Sequence, residues 1–406
     1  MTLTSNVHDQ DLAVPSGDEL VARANAFIPE LVRRQAETEE RTYYAPDLHE
    51  RFAAAGFYRI LVPRRYGGYE LGLGTFMRVT MALSRGCPST GWMFCLGAAH
   101  ALVVGSLFEE AAQREFFRDP DFICPAVVAP GGTAQRTASG WRLNGTWRYC
   151  SGAPYATYLL GHAIITDDQG SEPRPLMFMI PREQWKLLPD WGDQLGLKGT
   201  GSHSIQIENA EIPAEFAIET MLGEVDVSKG TPGTRLHGNP MYGAAPMSSM
   251  SIEGASIAVG MAQGALDAYT DLMLNRTTLF PPIVPRAQDP DYQRWYGQAV
   301  GMVDAAEAAT LGVIARWDEL CAAGPEVFTP EQDLRVAMVC KEAAELAWRA
   351  VAEVIFPTSG SSSVRTGERI ERVWRDLSTG RSHAGFAIML TTIGNRMLTK
   401  AKLGIT

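Results

Sequence analysis

The chain has 406 residues, 46% of them hydrophobic and 20% charged, proportions that set aside disordered, collagen-like and fibrous classes. Its 36 Lys and Arg against 46 Asp and Glu leave a formal net charge of -10, which argues against a protein that coats nucleic acid or anionic membrane and for a small-molecule partner. At roughly 150 residues per domain, two to three domains are expected.

The polar N-terminus up to Gly17 has neither the basic start nor the apolar run of a secretory signal, so a cytoplasmic location is expected. Ser16 and Glu19 have the spacing of a capping box, and Val21, Ala24, Phe27, Ile28, Leu31 and Val32 fall on one helical face. Helical periodicity continues to about Asp119, with Gly67 and Gly68 separating the opening from two apolar segments, 75–84 and 89–108, predicted as inner helices. The apolar run 95–108 is interrupted by His100 and Ser106 and falls short of the ~20 residues a membrane-spanning helix needs.

From 122 to 232 the texture changes to short β-rich pieces, 141–149, 158–166, 176–180 and 204–209. Asn144-Gly145 between alternating residues predicts a hairpin turn. After Pro246 long helical patterns return at 249–275, 292–322, 330–355 and 369–402, enough for a four-helix bundle. The expected organisation is α+β: an N-terminal helical domain over 1–121, a small β-barrel or sandwich domain over 122–232, and a C-terminal helical bundle domain over 233–406. Cys87, Cys95, Cys124, Cys150, Cys321 and Cys340 show no CxxC and no Cys/His ligand spacing, so reduced thiols, no disulfide and no metal site are expected. There is no GxGxxG after a first strand and no P-loop, hence no nicotinamide site in this chain.

The helical, β, helical order and four motifs carry a resemblance. They are Gly140 to Trp147 with Tyr149-Cys150-Ser151-Gly152; Gly196-Leu197-Lys198-Gly199-Thr200-Gly201-Ser202; Gly254 to Asp267 with Arg276; and Arg372-Val373-Trp374-Arg375-Asp376-Leu377. Together they resemble the acyl-CoA dehydrogenase superfamily over nearly the whole chain. Two departures matter. Residues 125–132 replace the Glu-Pro-x-x-Gly-Ser-Asp type segment of the dehydrogenases, and His383 stands where many of them place a Tyr-Glu-Gly carboxylate after the Arg-Asp motif.

That pattern is similar to the flavin-dependent monooxygenase branch, the oxygenase components of two-component systems. The resemblance implies reduced flavin, FMN or FAD, supplied by a separate NAD(P)H:flavin reductase. It implies reaction with O2 by way of a C4a-hydroperoxyflavin, a small aromatic, phenolic or heteroatom-containing substrate, and a homotetramer. By the same resemblance Ser151 and Gly152 lie beside the flavin, with Ser151 accepting from its N5–H, and His383 lines the oxygen side as a near-neutral acid or base. His100 and Trp92 on the inner helix line the substrate pocket, His100 also as a catalytic candidate, and Tyr242 in Asn239-Pro240-Met241-Tyr242 joins the substrate side. Arg276 meets the flavin phosphate with its donor fork, Thr200, Gly201 and Ser202 reach the flavin or substrate edge, and Gly360 and Ser361 in 359–363 approach a flavin from a neighbouring subunit. Lys198 reads as a solvated charge. The alternative is an acyl-CoA dehydrogenase that oxidises an acyl thioester with bound FAD, for which Glu253 is the candidate base. A flavin-free binding protein on the same fold is the third reading.

Overall fold

The computed structural model describes residues 14–166 and 173–405. The polar leader read above for location lies outside them up to Ala13. The first segment contains α1 (Gly17–Arg33), α2 (Gln35–Arg41), α3 (Pro46–Ala54), α4 (Leu73–Gly86), α5 (Pro88–Ala98), α6 (His100–Leu107) and α7 (Glu110–Phe116). The capping box forms at α1, with the Ser16 hydroxyl accepting from the Glu19 N–H at 3.2 Å and the Glu19 carboxylate accepting from the Ser16 N–H at 2.6 Å. The second predicted inner helix is one apolar stretch jointed at Ala99 into α5 and α6. Residues Pro88–Leu107 are long and apolar enough, by length and composition, to cross a membrane, yet 94% of the tested window is buried inside the protein, so this stretch is core. Pro290–Ala323 passes the same test with 33% burial.

The middle segment is one eight-stranded sheet made of β1 (Ala126–Val127), β2 (Gly132–Arg136), β3 (Gly140–Trp147), β4 (Tyr158–Ile165), β5 (Arg174–Pro181), β6 (Lys186–Leu188), β7 (Ser204–Pro213) and β8 (Ala217–Ile218). The strand order is β6-β7-β3-β2-β4-β5-β8, with β1 pairing β4. β4 and β5 are almost continuously buried, as strands covered on both faces must be. The Asn144-Gly145 turn predicted from sequence does not form. Both residues lie inside β3, and the reversal is made instead at Thr137 to Gly140, where the Thr137 N–H donates to the Gly140 carbonyl at 2.9 Å. Asn144-Gly145 marks a shift of register between β3 and β7, and the Asn144 side chain accepts from the displaced Asn209 N–H at 2.7 Å. A β-bulge uses the same residue types as a tight turn, which is why the dipeptide misleads.

The last segment holds α8 (Pro232–His237), α9 (Pro246–Asn275), α10 (Pro290–Ala323), α11 (Pro330–Arg349), α12 (Phe356–Ser359), α13 (Arg369–Arg381) and α14 (Asn395–Leu403). α9 is the central rod, packed on α4, α5, α10, α11 and α13. It approaches α4 so closely that a Cβ at Gly260 would stand 2.4 Å from the Met81 carbonyl oxygen. The fourth bundle helix, read from sequence as continuous over 369–402, is broken. α13 ends at Arg381, and residues 385–394 follow as a wider-pitched turn before α14. His383 sits in the break, so a run of helix-forming residues conceals the one place where the helix stops.

Candidate active site

The reacting groups are assembled by three elements that are distant in sequence. α5 supplies Trp92, the turn after β3 supplies Ser151 and Gly152, and the loop before β7 supplies Leu197 to Ser202. The Trp92 indole N–H donates to the Ser151 hydroxyl at 3.0 Å, Ser151 and Ser202 share a hydrogen bond at 2.7 Å, and Ser202 and Thr200 share one at 2.6 Å. The Thr200 hydroxyl donates to the Leu197 carbonyl at 2.9 Å. A carbonyl only accepts and an indole N–H only donates, so both ends of this chain fix its direction. Thr200 spends its proton on Leu197, Ser202 therefore donates to Thr200, and Ser151 donates to Ser202. The half-buried Ser151 Oγ is left with a lone pair and no proton to offer, an acceptor by construction.

The turn needs glycine at Gly152 for its backbone, since φ is +94°, and it lies in van der Waals contact with α5 at Met93 and Gly97. The Leu197–Ser202 loop is held by α13. The Leu197 N–H donates to Asp376 Oδ1 at 2.6 Å, which secures Leu197 at a left-handed φ of 56°. Gly196 meets the same helix with no space to spare, since a Cβ would stand 2.3 Å from the Arg375 carbonyl oxygen. Gly196→Ala is therefore expected to destabilise the protein by about 1–3 kcal/mol and to loosen the Thr200–Ser202 loop; thermal unfolding and flavin titration measure the two effects together. Asp376 is buried, and desolvation raises its pKa to about 7 against the opposing pull of Arg375 and the Leu197 N–H. Arg375 is bonded to Glu39 and Glu371, so α13 is tied to α2 by an ion-pair network that sequence spacing does not reveal.

His383 packs edge-on against Trp92, with ring centroids 5.6 Å apart at 75°. Its ring is open to solvent while crowded by surrounding chain that desolvates it and lowers its pKa. Nδ1 accepts from the Gly385 N–H at 3.2 Å, which places the single proton of the neutral ring on Nε2. Beside Trp92 lies a cavity of about 380 Å³ whose wall also includes Ile257, Met261, Trp348, Leu377 and Phe386, within the range of small-molecule sites.

Other sequence candidates lie apart from this group. His100, two turns along from Trp92, is buried, with Nδ1 donating to the Cys124 carbonyl at 2.9 Å and Nε2 unpaired. Desolvation lowers its pKa to about 4, so it is a neutral acceptor rather than a charged acid. Tyr242 is fully buried, its hydroxyl donates to the Leu61 carbonyl at 3.3 Å, and it packs against Gly105; the structure makes it a core residue between the first and last segments and gives it no place in the cavity wall. Arg276 is exposed at the end of α9. Its carbonyl accepts from the Arg286 N–H at 2.9 Å, and Arg286 donates to the Ser359 carbonyl at 3.0 Å beside Gly360 and Ser361. These five residues form a second grouping where the α9–α10 connection meets the end of α12, and no hydrogen bond or ion pair among the described residues joins it to Ser151. Glu253 is buried without a partner for Oε2, and desolvation raises its pKa to about 8. It does not line the cavity beside Trp92. All six cysteines are free and buried.

The Ser151 acceptor, the His383 donor and the aromatic ring of Trp92 fit the edge of a reduced flavin, whose N5 carries a hydrogen. Comparisons with known proteins identify the family. Models of the acyl-CoA dehydrogenase N-terminal and C-terminal domains match residues 16–116 and 253–388. A pigment production hydroxylase of Rhodococcus sp. is 31% identical over 373 residues, 90% of this chain and 92% of that one. The flavin-dependent monooxygenase oxygenase subunit HsaA of Rhodococcus jostii is 30% identical over 89% of this chain and 93% of its own length. The crystal structure of 3-HSA hydroxylase from Rhodococcus sp. RHA1 superposes with a TM-score of 0.85 at 26% identity, covering 96% of this chain and 97% of that one. The chain thus belongs to the acyl-CoA dehydrogenase superfamily and, within it, to the flavin-dependent monooxygenases.

Proposed function

We propose that this flavin-dependent monooxygenase is the oxygenase component of a two-component system that takes reduced flavin from a separate NAD(P)H:flavin reductase and hydroxylates a small aromatic or phenolic substrate. The observation that carries the reading is the directed chain Trp92, Ser151, Ser202, Thr200, Leu197. It leaves Ser151 able to accept from a reduced flavin's N5–H and unable to donate to the bare N5 of an oxidised one. When bound, the reduced flavin supplies the electrons with which O2 is activated. Ser151 holds its N5–H, Trp92 and Phe386 keep water from the reacting edge, and His383 holds a proton at Nε2 for the oxygen side. The similar resorcinol hydroxylase of Rhizobium sp. and indole-3-acetate monooxygenase of Acinetobacter baumannii support an aromatic substrate.

Stopped-flow reoxidation tests this. Wild-type protein is expected to slow the reoxidation of reduced FMN or FAD relative to free flavin, and Ser151→Ala to reverse about tenfold of that protection, in line with one hydrogen bond to an ionisable partner. Thr200→Val, which removes the anchor of the donor chain, is expected to narrow the ratio of oxidised to reduced flavin Kd by a similar factor. Reoxidation at the free-flavin rate in wild type overturns the reading.

The proposal extends to a homotetramer. Leu279, Phe280 and Ile283 on the α9–α10 connection are 80%, 77% and 58% exposed, far more apolar surface than a lone subunit retains without use. They adjoin the Arg276 and Gly360–Ser361 grouping, which would then meet a neighbour's flavin. Six free cysteines suit a reducing cytoplasm.

A further inference from the structure

The cavity beside Trp92 is mostly apolar, but three charged side chains reach its wall: Lys341 and Glu345 from α11 and Arg381 from α13. Two of them satisfy each other. Arg381 donates to both Glu345 oxygens at 2.9 Å, and its guanidinium lies 4.2 Å over the Trp348 ring, so this pair is locked as a fork and adds no net charge. Lys341 is different. Its side chain is only 17% exposed, yet its carboxylate partner at 2.8 Å, Glu342, is 68% exposed and not part of the cavity wall. The wall therefore carries one net positive charge, on a side chain that is mostly buried but whose ammonium makes an exposed bond to a partner free to move back into water.

We propose that Lys341 selects substrates that carry a carboxylate at the end of the aromatic body remote from Ser151. The inference rests on the monooxygenase reading for what is bound and extends it to the substrate's charge. An anion arriving in the cavity replaces Glu342 on the ammonium, while the ring packs between Trp92 and Phe386. A neutral substrate of the same shape leaves Lys341 where it is and forgoes that gain.

The test is binding, read by tryptophan fluorescence or calorimetry on the full chain without turnover. The probes are pairs that differ only in carboxylate for methyl: 3-(4-hydroxyphenyl)propanoate against 4-propylphenol, and the corresponding pair on a hydroxynaphthyl ring. Wild type is expected to bind the carboxylate of a pair at least about tenfold more tightly, as one charge-assisted hydrogen bond allows. Lys341→Met, which keeps the apolar stem, is expected to abolish the difference, Lys341→Arg to retain part of it, and Glu342→Gln to enlarge it by removing the competitor. Equal binding within both pairs, no binding of either carboxylate, or an undiminished ratio in Lys341→Met overturns the proposal. Flavin reoxidation by the wild-type protein is read separately, so failure here is distinguishable from failure of the monooxygenase reading.

Discussion

Glu253→Gln is expected to flatten the pH dependence of stability on the alkaline side, by on the order of 3 kcal/mol between pH 5 and pH 8. Glu253 sits on α9 within the α4–α5–α9 core, beside the Cys95 thiol, which is itself pushed well above its usual range. Desolvation raises its folded-state pKa from 4.5 to about 8. A raised carboxyl pKa means that the folded state keeps a proton which the unfolded chain has already released. The stabilising contribution is therefore complete below the unfolded value and is lost as pH rises from 4.5 through 8. Each pH unit in that window costs about 1.4 kcal/mol at the limit. Glutamine fills the same volume, never ionises, and carries its own cost for an unpaired amide at every pH. The informative quantity is thus the slope of unfolding free energy against pH, from denaturant titrations at several values. A variant with the wild-type slope would show that Glu253 is ionised and paired in solution. Asp376 and Asp333, raised to about 7 and about 6, keep part of the slope alive in the variant.

His383→Ala is expected to lower product formation by about 100-fold, the lower range for a positioned acid or base, while oxygen consumption continues and appears as hydrogen peroxide. The ring hangs in the break after α13, edge-on to Trp92, with Nδ1 occupied by the Gly385 N–H and the proton on Nε2. Protonating it forces Nδ1 to give up that bond, and burial already disfavours the charged form. The neutral ring therefore persists to lower pH than for a free histidine, and coupling in wild type is expected to fall only below the ordinary histidine range. His383→Asn keeps a side-chain N–H but cannot titrate, so it is expected to recover part of the yield and to lose the acid limb. A variant series with unchanged peroxide leakage and the wild-type pH profile would remove His383 from the chemistry.

How far the sequence foretells this depends on whether the signal is local. The capping box at Ser16 and the bundle helices were legible because helical spacing and proline starts are properties of neighbouring residues. The middle strands were legible as strands, but Asn144-Gly145 serves a bulge, and only the pairing with β7 distinguishes a bulge from a turn. The break at His383 was hidden for a related reason: Gly380, Ser382 and Gly385 weaken a helix there without forbidding one, and the apolar residues on either side keep helical spacing. Among site residues, Ser151, Thr200, Ser202, Trp92 and His383 come together, whereas Arg276, Gly360 and Ser361 gather elsewhere around Arg286, which no motif marks. Tyr242 turned out to be core because its neighbour across the fold is Gly105. The Asp376 bond to Leu197 and the Lys341 position depend on contacts between segments far apart in sequence, which no spacing rule encodes.

One indole has two allegiances. Trp92 gives its N–H to Ser151 and its ring to the cavity, and among the described residues it alone belongs to both the donor chain and the cavity wall. The remaining chain comes from the β segment, the remaining wall from the bundle. Ser151 and its partners can therefore be altered without replacing any residue of the chamber wall, and the other wall residues without touching the donor chain. A change at position 92 enjoys no such independence, since it must answer to two masters at once.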